Sequence, residues 1–325
     1  MVTWRTLWEF ELLDPGGNPI DLWRTLVSHG IASLPPMRLD EEARTLELTL
    51  AVPGGSPRMV RVLENPAPDR RGRVEIAGRL PGRAAVEALV ATLRYMLRLD
   101  EDVSALYATA AGDAELAWIR AGAGRMLRSP TVFEDVVKTL CTTNCSWSAT
   151  ERMVSALVEH LGAPAPQAPQ TGVAGRAFPS PEAMAAAEPS FYKEVARAGY
   201  RGPYLSSLAH SVASGAVDLE LLAHASSKEL TDDQVEAQLL ALPGIGPYAA
   251  AHVMMLVGRS SRLILDSWTR PTYARLAGRR SVTDSAIVRR FRRYGTYAGL
   301  AFWLFLTRDW VLEPEAHQAA ALTSK

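Results

Sequence analysis

Lysine is almost missing from this chain. Of 325 residues only Lys138, Lys193, Lys228 and Lys325 carry the ε-amine, so basic charge rests on arginine and amine chemistry has few places to sit. Cysteine is rarer still: Cys141 and Cys145 lie one helical turn apart and suit a core as readily as a reactive role. No run of eighteen apolar residues occurs, and the N-terminus lacks a basic-then-apolar pattern. Nothing therefore points to a membrane or to export, and a cytoplasmic location is expected. No internal repeat is visible, and no excess of either charge, since the formal net charge is zero.

What is present is apolar material for a large core, 48% of the residues, on a chain long enough for two layers or two domains. Thr3–Leu12, Thr45–Val52, Arg58–Leu63 and Arg73–Ile76 are short alternating or β-branched runs, separated by turn signals at Asp14–Asn18, Gly54–Pro57 and Pro66–Gly72. They predict an antiparallel sheet. From Gly82 onward helical periodicity takes over, first at Ala84–Leu97 and Asp102–Thr109. Ala163–Pro181, rich in Pro, Ala and Gln, predicts an exposed connection. The expected class is α+β: an N-terminal antiparallel β domain over 1–100, an all-α domain over 101–312, and a frayed tail over 313–325.

The most informative segment is Leu242-Pro-Gly-Ile-Gly-Pro-Tyr-Ala-Ala250. Thr231 with Gln234 makes a capping box, and Val235, Leu239, Leu240 and Leu242 give a helical stripe that ends at Pro243. Pro247 suits the first turn of a second helix running to about Val257, with Gly258 as its stop. The glycines predict a hairpin too tight for side chains, presenting bare N–H groups at a helix N-terminus, an anion site suited to nucleic-acid phosphate. An ordinary tight turn whose glycines serve packing is the plain alternative. A lone acid, Asp266, follows the apolar run Leu263-Ile264-Leu265 about twenty residues on. Between Arg259 and Arg308 eleven arginines face only Asp266, Asp284 and Asp309. On a neutral chain that asymmetry suits a face that meets phosphates, unless those arginines merely decorate solvated helices.

From Leu242 to Leu276, ending in Leu-Asp-Ser-Trp-Thr-Arg-Pro-Thr-Tyr-Ala-Arg-Leu, the sequence resembles the hairpin and catalytic-aspartate segment of the helix-hairpin-helix DNA glycosylase superfamily, in its oxoguanine and 3-methyladenine branch. Leu140-Cys-Thr-Thr-Asn144, Phe178-Pro-Ser180, Gly199-Tyr-Arg201 and Tyr297-Ala-Gly299 resemble further landmarks, so the likeness covers roughly 90–312. The resemblance implies an enzyme of base excision repair that flips a damaged base out of double-stranded DNA and cuts its N-glycosidic bond. It implies a nucleoid-associated protein, expected as a monomer. Relatives with an iron–sulfur cluster carry four cysteines, so no cluster or other cofactor is expected. The resemblance also implies hairpin carbonyls able to hold a monovalent cation, as in relatives.

Cleaving the bond develops positive charge on the sugar, which a carboxylate below it stabilises while positioning water. Asp266 matches the family's aspartate and is the expected catalytic residue, although an N-cap is a second use for an aspartate there. Bifunctional relatives carry a Schiff-base lysine where this chain has Tyr248, so a monofunctional enzyme without lyase activity is expected. The resemblance places Tyr248, His252, Trp268 and Phe302 at the base pocket, with Trp303 a further aromatic candidate. Phe302 stands where oxoguanine enzymes carry a base-reading glutamine and His252 where they carry a cysteine, which favours alkylated purines. Gly244, Ile245 and Gly246 would grip the backbone, and Asn144, Tyr200 and Arg201 would fill the gap or contact the opposite base. Two rivals remain open: an oxoguanine-type or mismatch glycosylase, and a non-catalytic hairpin DNA binder.

Overall fold

The computed structural model describes residues 2–66 and 71–311; the tail 313–325 lies outside them. The alternating runs form one antiparallel sheet of β1 (Trp4–Glu11), β2 (Arg38–Asp40), β3 (Thr45–Val52), β4 (Gly55–Glu64) and β5 (Arg71–Ala77), ordered β1-β5-β4-β3-β2. Leu46 and Leu48 lie opposite Val62 and Val60, which in turn face Val74 and Ile76. All six are buried on one face, as a side-chain period of two requires. Two elements have no signal in the sequence: β2, of three residues, and helix α1 (Leu22–Leu26), of five, are too short to display a period. The turn expected at Gly54–Pro57 is also shorter. Val52 pairs with Gly55, and Pro57 sits inside β4 beside a register irregularity between Leu50 and Val52, where a strand tolerates a residue without an N–H.

Helices follow: α2 (Arg83–Leu97), α3 (Ser104–Ala110), α4 (Val132–Thr142), α5 (Trp147–Leu161), α6 (Pro181–Ala185), α7 (Arg201–Ala213), α8 (Leu221–His224), α9 (Asp232–Leu240), α10 (Pro247–Leu256), α11 (Thr269–Leu276), α12 (Asp284–Phe291) and α13 (Ala298–Thr307). The sheet packs on Leu89, Leu93, Met96 and Leu97 of α2. A second core gathers α4, α5, α7, α9 and α10 and takes Ile31 and Leu34 from the N-terminal segment. A third combines α3, α12 and α13 with Ala251, Met255 and Leu256 of α10. Helix α10 therefore serves two cores, and Ala249 to Leu256 are all buried, which is why its sequence is apolar all round rather than striped. The connection before α6 is less exposed than its composition predicts. Ala165 N donates to Gly175 O at 2.7 Å and Ala177 N to Ala163 O at 3.0 Å, folding the loop onto itself with both alanines buried.

The segment between α10 and Asp266 is fastened on two sides. Arg259 pairs with Asp232 at the start of α9 at 3.3 Å, and Arg262 with Glu236 one turn further along it at 2.7 Å. On the other side Gly299 N donates to Ser260 O at 2.7 Å, and a Cβ on Gly299 would fall 1.9 Å from Arg262 O. Only glycine lets α13 approach this closely. Gly299→Ala should therefore lower stability by about 1–3 kcal/mol or more through overpacking, measured by urea denaturation. An unchanged midpoint would show that α13 can retreat without cost.

Candidate functional site

The capping box forms as the sequence predicts: Thr231 Oγ1 accepts from Gln234 N at 3.3 Å, and Gln234 Oε1 accepts from Thr231 N at 2.8 Å. The two hairpin glycines then differ. Gly244 has φ +78°, and a Cβ there would lie 2.5 Å from Tyr204 Cδ2, so neither the backbone nor the space admits another residue. Gly246, the N-cap of α10, is extended (φ −101°, ψ −178°), and a Cβ on it would stand in open space. Tightness therefore accounts for the first glycine only; the second keeps the helix N-terminus uncovered. Among the described residues the amides of Gly244 and Gly246 donate to no protein acceptor. Ile245, expected beside them on the backbone grip, faces inward instead: its side chain is buried and its N–H donates to Leu242 O at 3.2 Å.

The hairpin forms one wall of a cleft of about 940 Å³. Asn144, Tyr200, Gly244, Gly246, Tyr248, His252, Asp266 and Trp268 line it together, although they come from four separate stretches of chain. Asp266 is half-buried. Its Oδ1 accepts from Trp268 N at 2.8 Å and Thr269 N at 2.6 Å, while its own N–H donates to Thr269 Oγ1 at 2.8 Å. Helix α11 starts at Thr269, and Asp266 serves as its anchor. Oδ2 has no hydrogen-bond partner among the described residues, so one oxygen fixes the carboxylate and the other is uncommitted. Tyr248 Oη lies 3.4 Å from Thr142 Oγ1. Burial first, and then the charge of Asp266, raise its phenol above the ordinary value.

Trp268 has its ring centroid 5.6 Å from Trp303 and 5.8 Å from Trp310, and Trp303 lies 6.0 Å from Trp310. Three indoles therefore form a continuous wall beside Asp266. Trp303 is held in place by its Nε1, which donates to Ser28 O at 2.8 Å. His252 sits deeper, 5% exposed, with neither ring nitrogen hydrogen-bonded. Across the cleft Asn144 has φ +45°, a left-handed backbone that its short side chain tolerates, and donates through Nδ2 to Tyr200 Oη at 3.2 Å.

No protein-family model matches this chain, and no curated protein does. Solved structures do. The 3-methyladenine DNA glycosylase from Archaeoglobus fulgidus superposes with a TM-score of 0.69 at 19% identity, over 94% of this chain and 100% of that one. MBOgg1, in complex with a low-affinity DNA ligand, gives 0.67 at 18% identity over 90% and 93%. Clostridium acetobutylicum 8-oxoguanine glycosylase/lyase, in complex with double-stranded DNA containing cytosine opposite 8-oxoG, gives 0.64 at 17% identity over 95% and 98%. This chain has the DNA glycosylase fold.

Within that fold, three expectations need correction. Phe302 does not reach the cleft: it is fully buried, with its ring 5.2 Å from Phe291 and 6.0 Å from Tyr273, because the face of α13 that reaches the cleft carries Trp303, one residue on. Arg201 is 6% exposed and its guanidinium is committed to the Thr143 carbonyl and to Thr143 Oγ1, with its carbon 4.5 Å over the Tyr200 ring. It braces the Asn144 turn and has no free donor edge for an opposite base. Of the arginines between 259 and 308, Arg259, Arg262, Arg270, Arg290, Arg293 and Arg308 are in ion pairs, so the basic footprint is smaller than the sequence count. Conversely, Gly30, Ile31, Trp147 and Trp310 line the cleft without having been singled out. Trp147 and Trp310 are each over 40% exposed, and the usable signal was a tryptophan in polar, patternless surroundings.

The cleft's histidine also fixes a pH response. Burial lowers His252 to about 4, and burial with the neighbouring His252 charge lowers His29 to about 3, both from an ordinary 6.5. The folded state keeps both neutral, so the stability this gives is present above pH 6.5 and is lost as the pH falls, because the unfolded chain takes up the protons first. Asp135, raised to about 7 by burial, acts oppositely, favouring the fold below pH 7. Removing one histidine should therefore flatten the acid loss. Between pH 6.5 and 4, His252→Leu is expected to lose less stability than the wild type by up to ~3 kcal/mol, read from urea midpoints at each pH; identical slopes would show that His252 titrates normally.

Proposed function

We propose that this protein is a monofunctional DNA glycosylase that releases damaged purines of the alkylated class from duplex DNA. The observation that carries the reading is Asp266, which lines a cleft walled by Trp268, Trp303 and Trp310 with one carboxylate oxygen held by two backbone amides and the other without a hydrogen-bond partner among the described residues. A purine taken out of the stack enters such a cleft. As its bond to the sugar C1′ breaks, the base leaves with the electron pair and C1′ becomes cationic, opposite the Asp266 charge. Water then adds at C1′ and loses a proton, giving free base and an abasic site. A rigid, aligned carboxylate is worth most here, since it needs no reorganisation as charge develops.

The lesion class follows from the wall. Indole faces attract electron-poor and cationic rings, and alkylation makes a purine both of these while weakening its glycosidic bond. The residue of α13 that reaches the cleft is Trp303, an indole with no side-chain amide to read an oxidised base. The neighbours named above act on 3-methyladenine in one case and on 8-oxoguanine in another, so the comparison supports the class of chemistry and the wall supports the choice within it. A binding module without catalysis would have no use for an anchored, open carboxylate.

Lyase chemistry needs an amine at C1′. Tyr248 occupies the cleft where the resemblance expects one, no lysine lines the cleft among the described residues, and Lys138 is fully buried against Glu134. Gly244 and Gly246 would donate to the phosphate flanking the flipped nucleotide, aided by the α10 dipole, while Asn144 and Tyr200 occupy the vacated stack. If a monovalent cation joins the grip, it would use hairpin carbonyls; those of Leu242 and Gly246 each accept one amide and keep a lone pair.

Duplexes carrying single lesions, treated with protein and then hot alkali, should break at alkylated purines more than at 8-oxoguanine. Asp266→Asn should reduce the rate about 10²–10³-fold, the scale set by removing one preorganised electrostatic group, with duplex binding retained. Borohydride should trap no covalent adduct. Absence of abasic sites on every lesion would leave only the binding module, and a trapped adduct would refute the monofunctional assignment.

A further inference from the structure

His252 occupies a position that is costly for the fold. Its ring lines the cleft yet is 5% exposed, and both Nδ1 and Nε2 are without a hydrogen bond. Three aromatic rings surround it edge-on rather than offering polar partners: His29 at 5.9 Å, Tyr248 at 6.1 Å and Trp303 at 6.2 Å between centroids. Orphaned buried donors and acceptors destabilise a fold, and replacing them with hydrocarbon of similar shape is neutral or stabilising. Helix α10 is otherwise made of alanine, valine, methionine and leucine at its buried positions, so a leucine would continue the pattern. His29 does not supply the missing partner. Its Nε2 lies 2.7 Å from the Leu127 carbonyl, which can only accept, so Nε2 carries the proton; Nδ1 of His29 is itself unpaired.

A buried polar group left unpaired at the wall of a cleft is satisfied when something enters the cleft. We propose that His252 is the specificity-determining residue of this site, its uncharged imidazole hydrogen-bonding a ring nitrogen or exocyclic group on the edge of the flipped purine. This rests on the glycosylase reading and adds to it the group that tells one base from another. The indole wall distinguishes rings only by their electron density, whereas a neutral imidazole offers one donor and one acceptor at fixed positions. A base whose edge cannot use either leaves both unpaired in a dry site, and the penalty is felt as lost excision. Burial keeps the ring neutral, because a protonated imidazolium there would lose its hydration.

The test compares wild type with His252→Leu, His252→Asn and His252→Gln on the alkylated-purine duplex that the wild type cuts fastest, in single-turnover excision, with urea stability and duplex binding measured on the same preparations at pH 7.5. His252→Leu should excise about 10- to 100-fold more slowly while being at least as stable as the wild type and binding duplex equally well. One of the two amides should recover most of the rate: Asn if Nδ1 makes the contact, Gln if Nε2 does. Excision by His252→Leu at the wild-type rate overturns the proposal. So does a loss of excision that tracks a loss of stability, or one that neither amide restores. Wild-type excision is the control that separates the two readings: where it is intact, failure belongs to His252 alone, and where no lesion is cut, the glycosylase reading falls and takes this one with it.

Discussion

The last carbonyls of α10 lie inside the protein, and the backbone turn after the helix meets only part of their demand: Arg259 N donates to Met254 O at 2.7 Å and Gly258 N to Met255 O at 3.2 Å, while no backbone amide among the described residues reaches Leu256 O. Two buried guanidinium groups take them. Arg98 donates to Met255 O at 2.8 Å and Leu256 O at 2.6 Å, and Arg128 donates to Leu256 O at 2.7 Å. Glu101 balances both charges at 2.7 and 2.6 Å. Burial lowers Arg128 to about 10, still charged near neutrality, so the cap persists under working conditions. Cations at a helix C-terminus also oppose the dipole favourably. Since α10 carries the hairpin at one end and serves two cores along its length, this cap fixes where Gly246, Tyr248 and His252 point.

From that fixed helix the cleft is assembled by short-range devices. Asp232 and Glu236 of α9 hold Arg259 and Arg262, and Gly299 lets α13 close on the same stretch of chain. Asp266 then emerges with its orientation set by the reciprocal bonds with Thr269. Such bracing matters more for an electrostatic group than for a stacking one, because the energy of a charge beside a developing cation depends on a fixed distance, while an aromatic wall tolerates sliding. The mixture seen here, one rigid carboxylate beside three indoles in loose mutual contact, suits a site that must align one bond but admit differently substituted rings.

The site also shows where stability is given up. His252 leaves two polar atoms unpaired in a helix that is apolar elsewhere, and Gly246 leaves amides uncovered at the N-terminus of α10. Arg201, by contrast, is fully employed in holding Thr143. Groups without partners in the free protein mark the places where a ligand supplies them; groups with partners mark the scaffold.

Local sequence determined the parts governed by local physics. Alternation gave the three central strands, and the Thr231–Gln234 box and Pro247 gave the hairpin helices, whereas Asp266 stood out through the family resemblance and not through any local rule. The short elements α1 and β2 had no period to read. Tertiary structure alone decided which neighbour on α13 faces the cleft, Trp303 and not Phe302, since on a helix buried all round every face is apolar and no moment selects one. It alone revealed that Arg201 and much of the arginine-rich segment are spent on internal partners, because pairing depends on residues far away in sequence. And it alone brought Gly30, Trp147 and Trp310 to the cleft, since a sequence shows which side chains can stack or donate, whereas their convergence depends on how two separate cores pack around one helix.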